Sequence, residues 1–376
     1  MSTTPERPTL ATAFDPRSNC LDVLRLLLAG TVAVVHATHL GFGHQPRVGS
    51  TDLGSLAVDG FFVLSGFLVA SSWLRLGSLR RFAWHRALRI LPAFWVCLLG
   101  TALVVAPLLA VLTGRSATSV LTGPESALSY LGANATLLVR QFGISGLPGT
   151  GGSPDVVNGA LWTLFFEAVC YGIVAVLGVL GVLRRRRWVV LVLLAALWAL
   201  TVAAAAGSNP LGSVIMLRFA FVFLLGAAAH LFADRIPISG PLALLSLALV
   251  VAGLHLLPDY RALAGPAFAY AFVYAVVRLP LRRRPRRDLS YGLYVWHWPI
   301  AQLLVAAGAT ALTTVPFVLA CLALALLVAA LSWHLVEQPA LGLKGAAWVT
   351  RWPPGRPRRA TVDLGEGAGG RRRAHR

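Results

Sequence analysis

The chain has 376 residues, 57% of them hydrophobic and only 12% charged, with a formal net charge of +19. Its mean hydropathy is +0.73, whereas soluble globular domains carry about a quarter charged residues, so a soluble fold is excluded and a polytopic membrane protein is expected. The basic excess flanks apolar segments and is not interleaved with base-stacking aromatics, which argues against nucleic acid and for membrane-orientation signals and contact with anionic lipids.

In chain order, residues 1–18 read as a polar cytoplasmic segment. The first apolar stretch, near 20–40, is too long and too charged for a signal-peptide core and is followed by no small-residue cleavage site, so it is expected to stay as a span. Nine more stretches of about 20 residues, the length that crosses about 30 Å of hydrocarbon, lie near 54–74, 88–112, 159–183, 188–206, 212–232, 239–256, 262–279, 288–308 and 313–336. They predict an all-α helical bundle of about ten transmembrane helices, forming one domain over 19–340. The clusters "RLGSLRRFAWHR", "RRRR" at 184–187 and "RLPLRRRPRR" at 278–287 fall on one side, with the Arg-rich tail. Only Arg47, Arg115, Arg140 and Arg261 fall on the other. This asymmetry places the N-terminus and C-terminus in the cytoplasm. The longest external loop, 113–158, contains "PESALSYLGANATLLVRQF", from which a short interfacial helix and a roofing role are expected. Residues 341–376 have the Pro, Gly and Arg content of a disordered cytoplasmic tail. Cys20, Cys97, Cys170 and Cys321 lie within spans without CxxC spacing, so neither a disulfide nor a metal site is expected.

The first span, "LDVLRLLLAGTVAVVHATHL", carries Asp22, Arg25, His36 and His39. Arg25 and His36 are eleven residues apart, about three turns, so they share a helix face with roughly 16 Å between them along the axis. Asp22 lies on the same face. Such a polar stripe faces a bundle interior or a wet cavity. The second span runs back across the membrane and brings Asp59 to a depth similar to that of His36, where it is expected to orient the imidazole and stabilise its protonated form. Gly60, Ser65 and Gly66 permit close helix approach, or serve only as a packing face.

Together these residues resemble the acyltransferase 3 family of integral membrane O-acyltransferases. Arg25 and His36 match its Arg, ten residues, His pattern; Ser65, Gly66 and Phe67 match its Ser-Gly-Phe motif, and Arg86 and Arg89 its Arg-x-x-Arg motif. "NGALWTLFFEAVCYG" looks like its Trp-x-Leu-x-x-Glu segment, through Trp162 and Glu167. "LSYGLYVWHWPI" resembles its Ser-Tyr-x-x-Tyr-x-x-His-x-Pro segment, through Ser290, Tyr291, Tyr294, His297 and Pro299, and "LVEQPA" its terminal Glu-x-Pro, through Glu337.

The resemblance implies transfer of an acyl group, commonly acetyl, from cytoplasmic acyl-CoA to a hydroxyl of a carbohydrate or glycosylated acceptor. Acyl-CoA is then a cosubstrate, with no tightly bound cofactor and no metal. His36 serves as general base, with Asp59 and Glu167 as further catalytic candidates. Arg25, Arg86 and Arg89 form a clamp for CoA phosphates, Ser65 and His297 contact the donor, and Trp162 and Tyr291 bind substrate. The pantetheine arm is expected to thread between helices toward His36. Other roles stay open: positive-inside bias alone for Arg86 and Arg89, acceptor binding or charge balance for Glu167, a helix contact for His297, and an end cap or Arg partner for Glu337. The expected location is the bacterial inner, or cytoplasmic, membrane. The alternative is a multi-span transporter whose buried charges relay protons or substrate.

Overall fold

In hydrocarbon no water satisfies backbone N–H and C=O groups, so apolar runs of this length close their hydrogen bonds internally as helices. A computed structural model describes residues 8–16, 18–208, 214–280 and 287–350. Expectations for 1–7, Arg17, the Arg-rich stretch 281–286 and the tail 351–376 lie outside the described residues.

Each of the ten apolar stretches coincides with a helix. These are α1 (Leu21–Phe42), α2 (Leu53–Leu76), α3 (Leu79–Gly100), α4 (Thr163–Val179) and α5 (Trp188–Ala205). They continue as α6 (Val214–Leu231), α7 (Gly240–Leu256), α8 (Arg261–Arg278), α9 (Ser290–Ala306) and α10 (Thr314–Ser332). A π turn over Thr101–Val105 extends α3 to Leu112. Among the described residues six helices are long and apolar enough to cross a membrane, namely α1, α2, α3 with its extension, α5, α6 and α10 with the turns after it; α4 and α7 are shorter apolar helices. Large apolar side chains such as Leu244, Leu256, Val315 and Leu335 point outward, as a lipid-facing surface requires.

A two-strand ribbon, Arg47–Val48 against Thr51–Asp52, reverses the chain between α1 and α2. Asp52 caps α2 by accepting a hydrogen bond from the Ser55 amide at 2.7 Å, filling one of the unpaired donors at a helix start. The centre of the bundle is α1, α2, α6 and α9, with α10 closing against both α1 and α9. Where α2 crosses α6 the backbones touch: a Cβ on Gly66 would collide with the Phe223 carbonyl, and one on Gly226 with the Val63 carbonyl. Small residues at a crossing let two membrane helices gain contact without a hydrophobic driving force. Gly66 of the Ser-Gly-Phe motif therefore has a packing duty.

Asp59 ties three helices together. Its carboxylate, with no exposed surface, accepts hydrogen bonds from Arg218 Nε at 2.7 Å, Arg261 at 2.7 Å and the Tyr260 hydroxyl at 2.8 Å. Arg218 also donates to the Ser55 carbonyl at 2.7 Å, and Arg261 pairs with Asp259 at 3.0 Å. Burying a carboxylate is costly unless it is paired and its lone pairs are filled, and here both oxygens are occupied.

Beyond Glu337 the chain continues as short turns, Gln338–Gly342, Leu343–Gly345 and Ala347–Thr350. The Trp84 indole donates to the Leu343 carbonyl at 3.2 Å and lies 4.8 Å from the Trp348 ring. The segment from 341 to 350, expected as the start of a disordered tail, is thus held on α3.

Removing one member of a buried ion pair strands the others, typically at a cost of roughly 3–5 kcal/mol. Asp59→Asn is therefore expected to lower the unfolding temperature of detergent-solubilised protein strongly. Thermal denaturation followed by size-exclusion detection measures this, and an unshifted transition would show that the Asp59 network is not what holds α2, α6 and α8.

Candidate active site

Two polar groups sit on the α1–α9 seam. At one end, Asp288 Oδ2 accepts from Arg25 of α1 at 2.7 Å and from Arg89 of α3 at 2.6 Å. At the other, His36 Nδ1 lies 2.8 Å from His297 Nε2 of α9, with the two rings stacked 5.1 Å apart. The Trp298 ring meets His36 edge-on at 4.8 Å.

The hydrogen-bond network assigns the tautomers. His297 Nδ1 lies 3.2 Å from the Leu293 carbonyl, which can only accept, so Nδ1 of His297 carries the proton. In the neutral ring Nε2 is then an acceptor. His36 must donate to it from Nδ1, which leaves His36 Nε2 with a free lone pair. His297 is 2% exposed while His36 is only half-buried, so the accessible imidazole is the one left basic.

A stretch of the long loop folds over this pair. The Gly152 amide donates to the Leu40 carbonyl at 3.0 Å, and Ser153 Oγ lies 3.0 Å from His39 Nε2. Gln302 donates to the carbonyls of Ser153 and Val156 at 3.1 and 2.8 Å, and the Trp298 indole donates to the Val156 carbonyl at 3.2 Å. The expected short helix in this loop spans Ala127–Asn134.

A cavity of about 250 Å³ opens beside the Arg25 end. Arg25, Arg75, Arg86, Arg89 and Lys344 line it, with Glu167 as the one lining carboxylate among the described residues. Glu167 Oε1 accepts from Ser65 Oγ at 2.9 Å and from the Tyr171 hydroxyl at 2.6 Å, while no partner engages Oε2 among the described residues. The Arg86 guanidinium lies 5.5 Å from the centre of the Tyr171 ring, and its buried Nε has no partner among the described residues. The cavity stops short of the histidines. Tyr294, bonded to Thr163 Oγ1 at 2.6 Å, is among its lining residues, with its ring 6.1 Å from that of His297.

Of the residues singled out from sequence, Arg25, Ser65, Arg86, Arg89, Glu167 and Tyr291 meet in this cavity. Tyr291 donates to the Ile90 carbonyl at 2.7 Å, and its ring carries Arg89 at 5.8 Å. Trp162 packs with Phe166 and Phe219, at 5.7 and 5.9 Å, and is not in the lining. The expected contact between Asp59 and His36 is absent: Asp59 is engaged by Arg218, Arg261 and Tyr260, and the orienting position beside His36 belongs to His297. The sequence signal for that partner was the histidine in the Tyr-x-x-His segment, but matching depth alone did not select it. Glu337, buried at the π turn after α10, accepts from Ser332 Oγ at 3.1 Å and has no arginine within ion-pairing distance among the described residues. Asp288 was not singled out at all.

Comparisons with known proteins fit this arrangement. The family model described as an acyltransferase domain matches residues 18–334. The chain is similar to nodulation protein 10 of Rhizobium leguminosarum bv. viciae, with 31% identity over 87% of this chain and 94% of that protein. It is also similar to an O-acetyl transferase of Shigella phage Sf6, with 25% identity over 86% of this chain and 96% of that protein. No solved structure matches. A matched region that takes in Arg25, His36, the four cavity arginines and His297 places the chain in the acyltransferase 3 family, as a multi-pass membrane O-acyltransferase.

Proposed function

We propose that the protein moves an acyl group, most simply acetyl, from cytoplasmic acyl-CoA to a hydroxyl of a carbohydrate or glycosylated acceptor, with His36 as general base. The observation that carries this reading is the His36–His297 pair, whose hydrogen bonding leaves a lone pair on the more accessible ring. In this reading about ten helices cross a bacterial cytoplasmic membrane, and the ends of the chain and the basic end of the bundle face the cytoplasm, as the Lys and Arg distribution favours.

The chemistry follows from the positions of the groups. CoA phosphates engage the arginines at the cavity mouth, where bidentate guanidinium forks suit phosphate oxygens. Glu167, held by Ser65 and Tyr171, offers its free oxygen to an N–H or O–H of the bound donor or acceptor. The thioester reaches the histidines past Tyr294. His36 Nε2 then takes the acceptor hydroxyl proton as the oxygen attacks the thioester carbonyl carbon. Collapse of the tetrahedral intermediate breaks the C–S bond, and the departing thiolate takes the proton back from His36. The phage relative, named as an O-acetyl transferase, supports acetyl as the group moved.

Purified protein in proteoliposomes tests the assignment. His36→Ala is expected to abolish acyl transfer while leaving CoA binding intact, and His297→Phe to lower kcat on the order of 100-fold with little change in KM, since a misoriented base forfeits most general-base catalysis. Near wild-type turnover by well-folded His36→Ala protein would remove His36 from the chemistry.

The clamp has a separate test. Replacing both Arg86 and Arg89 by Gln removes charge-assisted contacts worth about 1.5–3 kcal/mol each, so calorimetry should record a large loss of acyl-CoA affinity. Acceptor KM is expected to stay nearly constant. Unchanged donor affinity in the folded double variant would exclude the clamp.

A further inference from the structure

The two arginines that meet at the α1–α9 seam come from different helices and carry the same charge, so something must hold their guanidinium groups together. That group is Asp288, two residues before α9 begins at Ser290. Its Oδ1 accepts from the Ser290 hydroxyl at 2.6 Å and from the Ser290 amide at 3.3 Å, which pins the carboxylate to the start of α9. Its Oδ2 accepts one terminal nitrogen from Arg25 and one from Arg89, at 2.7 and 2.6 Å.

Three features decide what this arrangement is for. Each guanidinium has five N–H donors and gives Asp288 only one nitrogen, so most of each fork remains for another ligand. Side-chain exposures of 18% for Arg25 and 15% for Arg89 show that the forks are still reachable, and both residues line the cavity. One carboxylate between two guanidiniums also leaves the pair net positive, with Arg75, Arg86 and Lys344 adding to it. At Asp59, by contrast, the carboxylate has no exposed surface and all three nitrogens of each guanidinium are engaged.

We propose that Asp288 is a positioning residue that brings Arg25 and Arg89 onto one point, building a two-arginine seat for a phosphate of the acyl donor. The carboxylate screens the repulsion between the guanidiniums, and through Ser290 it fixes the seat to the helix that carries Tyr294 and His297. This rests on the proposed use of acyl-CoA.

Calorimetric titration of detergent-solubilised protein with coenzyme A, alongside acyl-transfer kinetics, tests it. Asp288→Asn keeps the shape and loses the charge; it is expected to weaken CoA binding about tenfold or more, in line with the strength of charge-assisted contacts, and to raise KM for acyl-CoA while kcat stays within about threefold. Asp288→Glu should recover most of the affinity. A fall in kcat at constant KM, no recovery by Glu, or CoA binding as tight as wild type would overturn the proposal; tighter binding would make Asp288 a plug that phosphate must displace. If Asp288→Asn does not accumulate as folded protein, Ser290→Ala loosens the same carboxylate without removing a charge. Weaker CoA binding by that variant supports the seat, and unchanged binding overturns it. Failure of the wild-type protein to bind CoA at all would instead sink the donor assignment itself.

Discussion

The contact on which the rest of the bundle depends is the seam between α1 and α9. It is tied by polar groups at two levels, Arg25 to Asp288 at one end and His36 to His297 at the other. Arg25 and His36 are separated by about 16 Å along α1, and Asp288 and His297 by nearly as much along α9. A slip of one residue along the seam, about 1.5 Å, would strain both ties together, and a rotation would turn both toward lipid. Apolar packing between membrane helices tolerates many registers because lipid competes for the same contacts. Paired polar groups do not, and fixing register is the best-attested use of buried ionic groups. The same ties set the spacing between the proposed phosphate seat and the imidazole of His36.

Burial of the carboxylate and occupancy of the guanidinium donors separate the two arginine–carboxylate networks. Around Asp59, two guanidiniums and a phenol fill both oxygens of a carboxylate with no exposed surface. Around Asp288, the carboxylate keeps 17% of its side-chain surface exposed, and each arginine gives it a single nitrogen while lining a cavity. The composition of the two groups is nearly the same, one acid between two arginines. The first is a closed knot holding α2, α6 and α8, and the second has donors to offer. A buried charge inside a membrane protein marks a functional site only where something can still reach it.

The sequence made the helices legible because length and hydropathy alone decide them in lipid, and all ten coincide with expected stretches. It also made legible the shared face of Arg25 and His36, since that is a property of one helix. What it hid were relations between helices. Depth is one coordinate of three, so Asp59 and His297 were both admissible neighbours of His36, and the crossing of α1 with α9 chose the histidine. The partnership of Asp59 with Arg218 and Arg261 was hidden for the same reason, as was Asp288, which lies beside an Arg-rich run and reads as a loop residue. The ordered turns to Thr350 were obscured by composition, because Pro and Arg farther along dominate the segment while Trp84 and Trp348 do the anchoring.

A histidine in place of a carboxylate beside the proposed base has a chemical consequence. An ionised carboxylate in an apolar site must be paired or it costs several kcal/mol, and an arginine brought in to pair it would compete for the base. A neutral His297 needs no counter-ion: its Nε2 accepts the His36 Nδ1–H while its own Nδ1–H donates to the Leu293 carbonyl. In the proposed reaction the cost falls on the imidazolium formed when His36 takes the acceptor proton, since no carboxylate pairs with it among the described residues. In acyl transfer from a thioester that state is brief. The leaving thiolate, of a class with pKa about 8.5, is a stronger base than a free imidazole of pKa about 6.5, so the proton passes onward readily. A neutral pair is therefore suited to a reaction whose leaving group collects the proton, and the surrounding membrane gives the site a reason to do without a carboxylate.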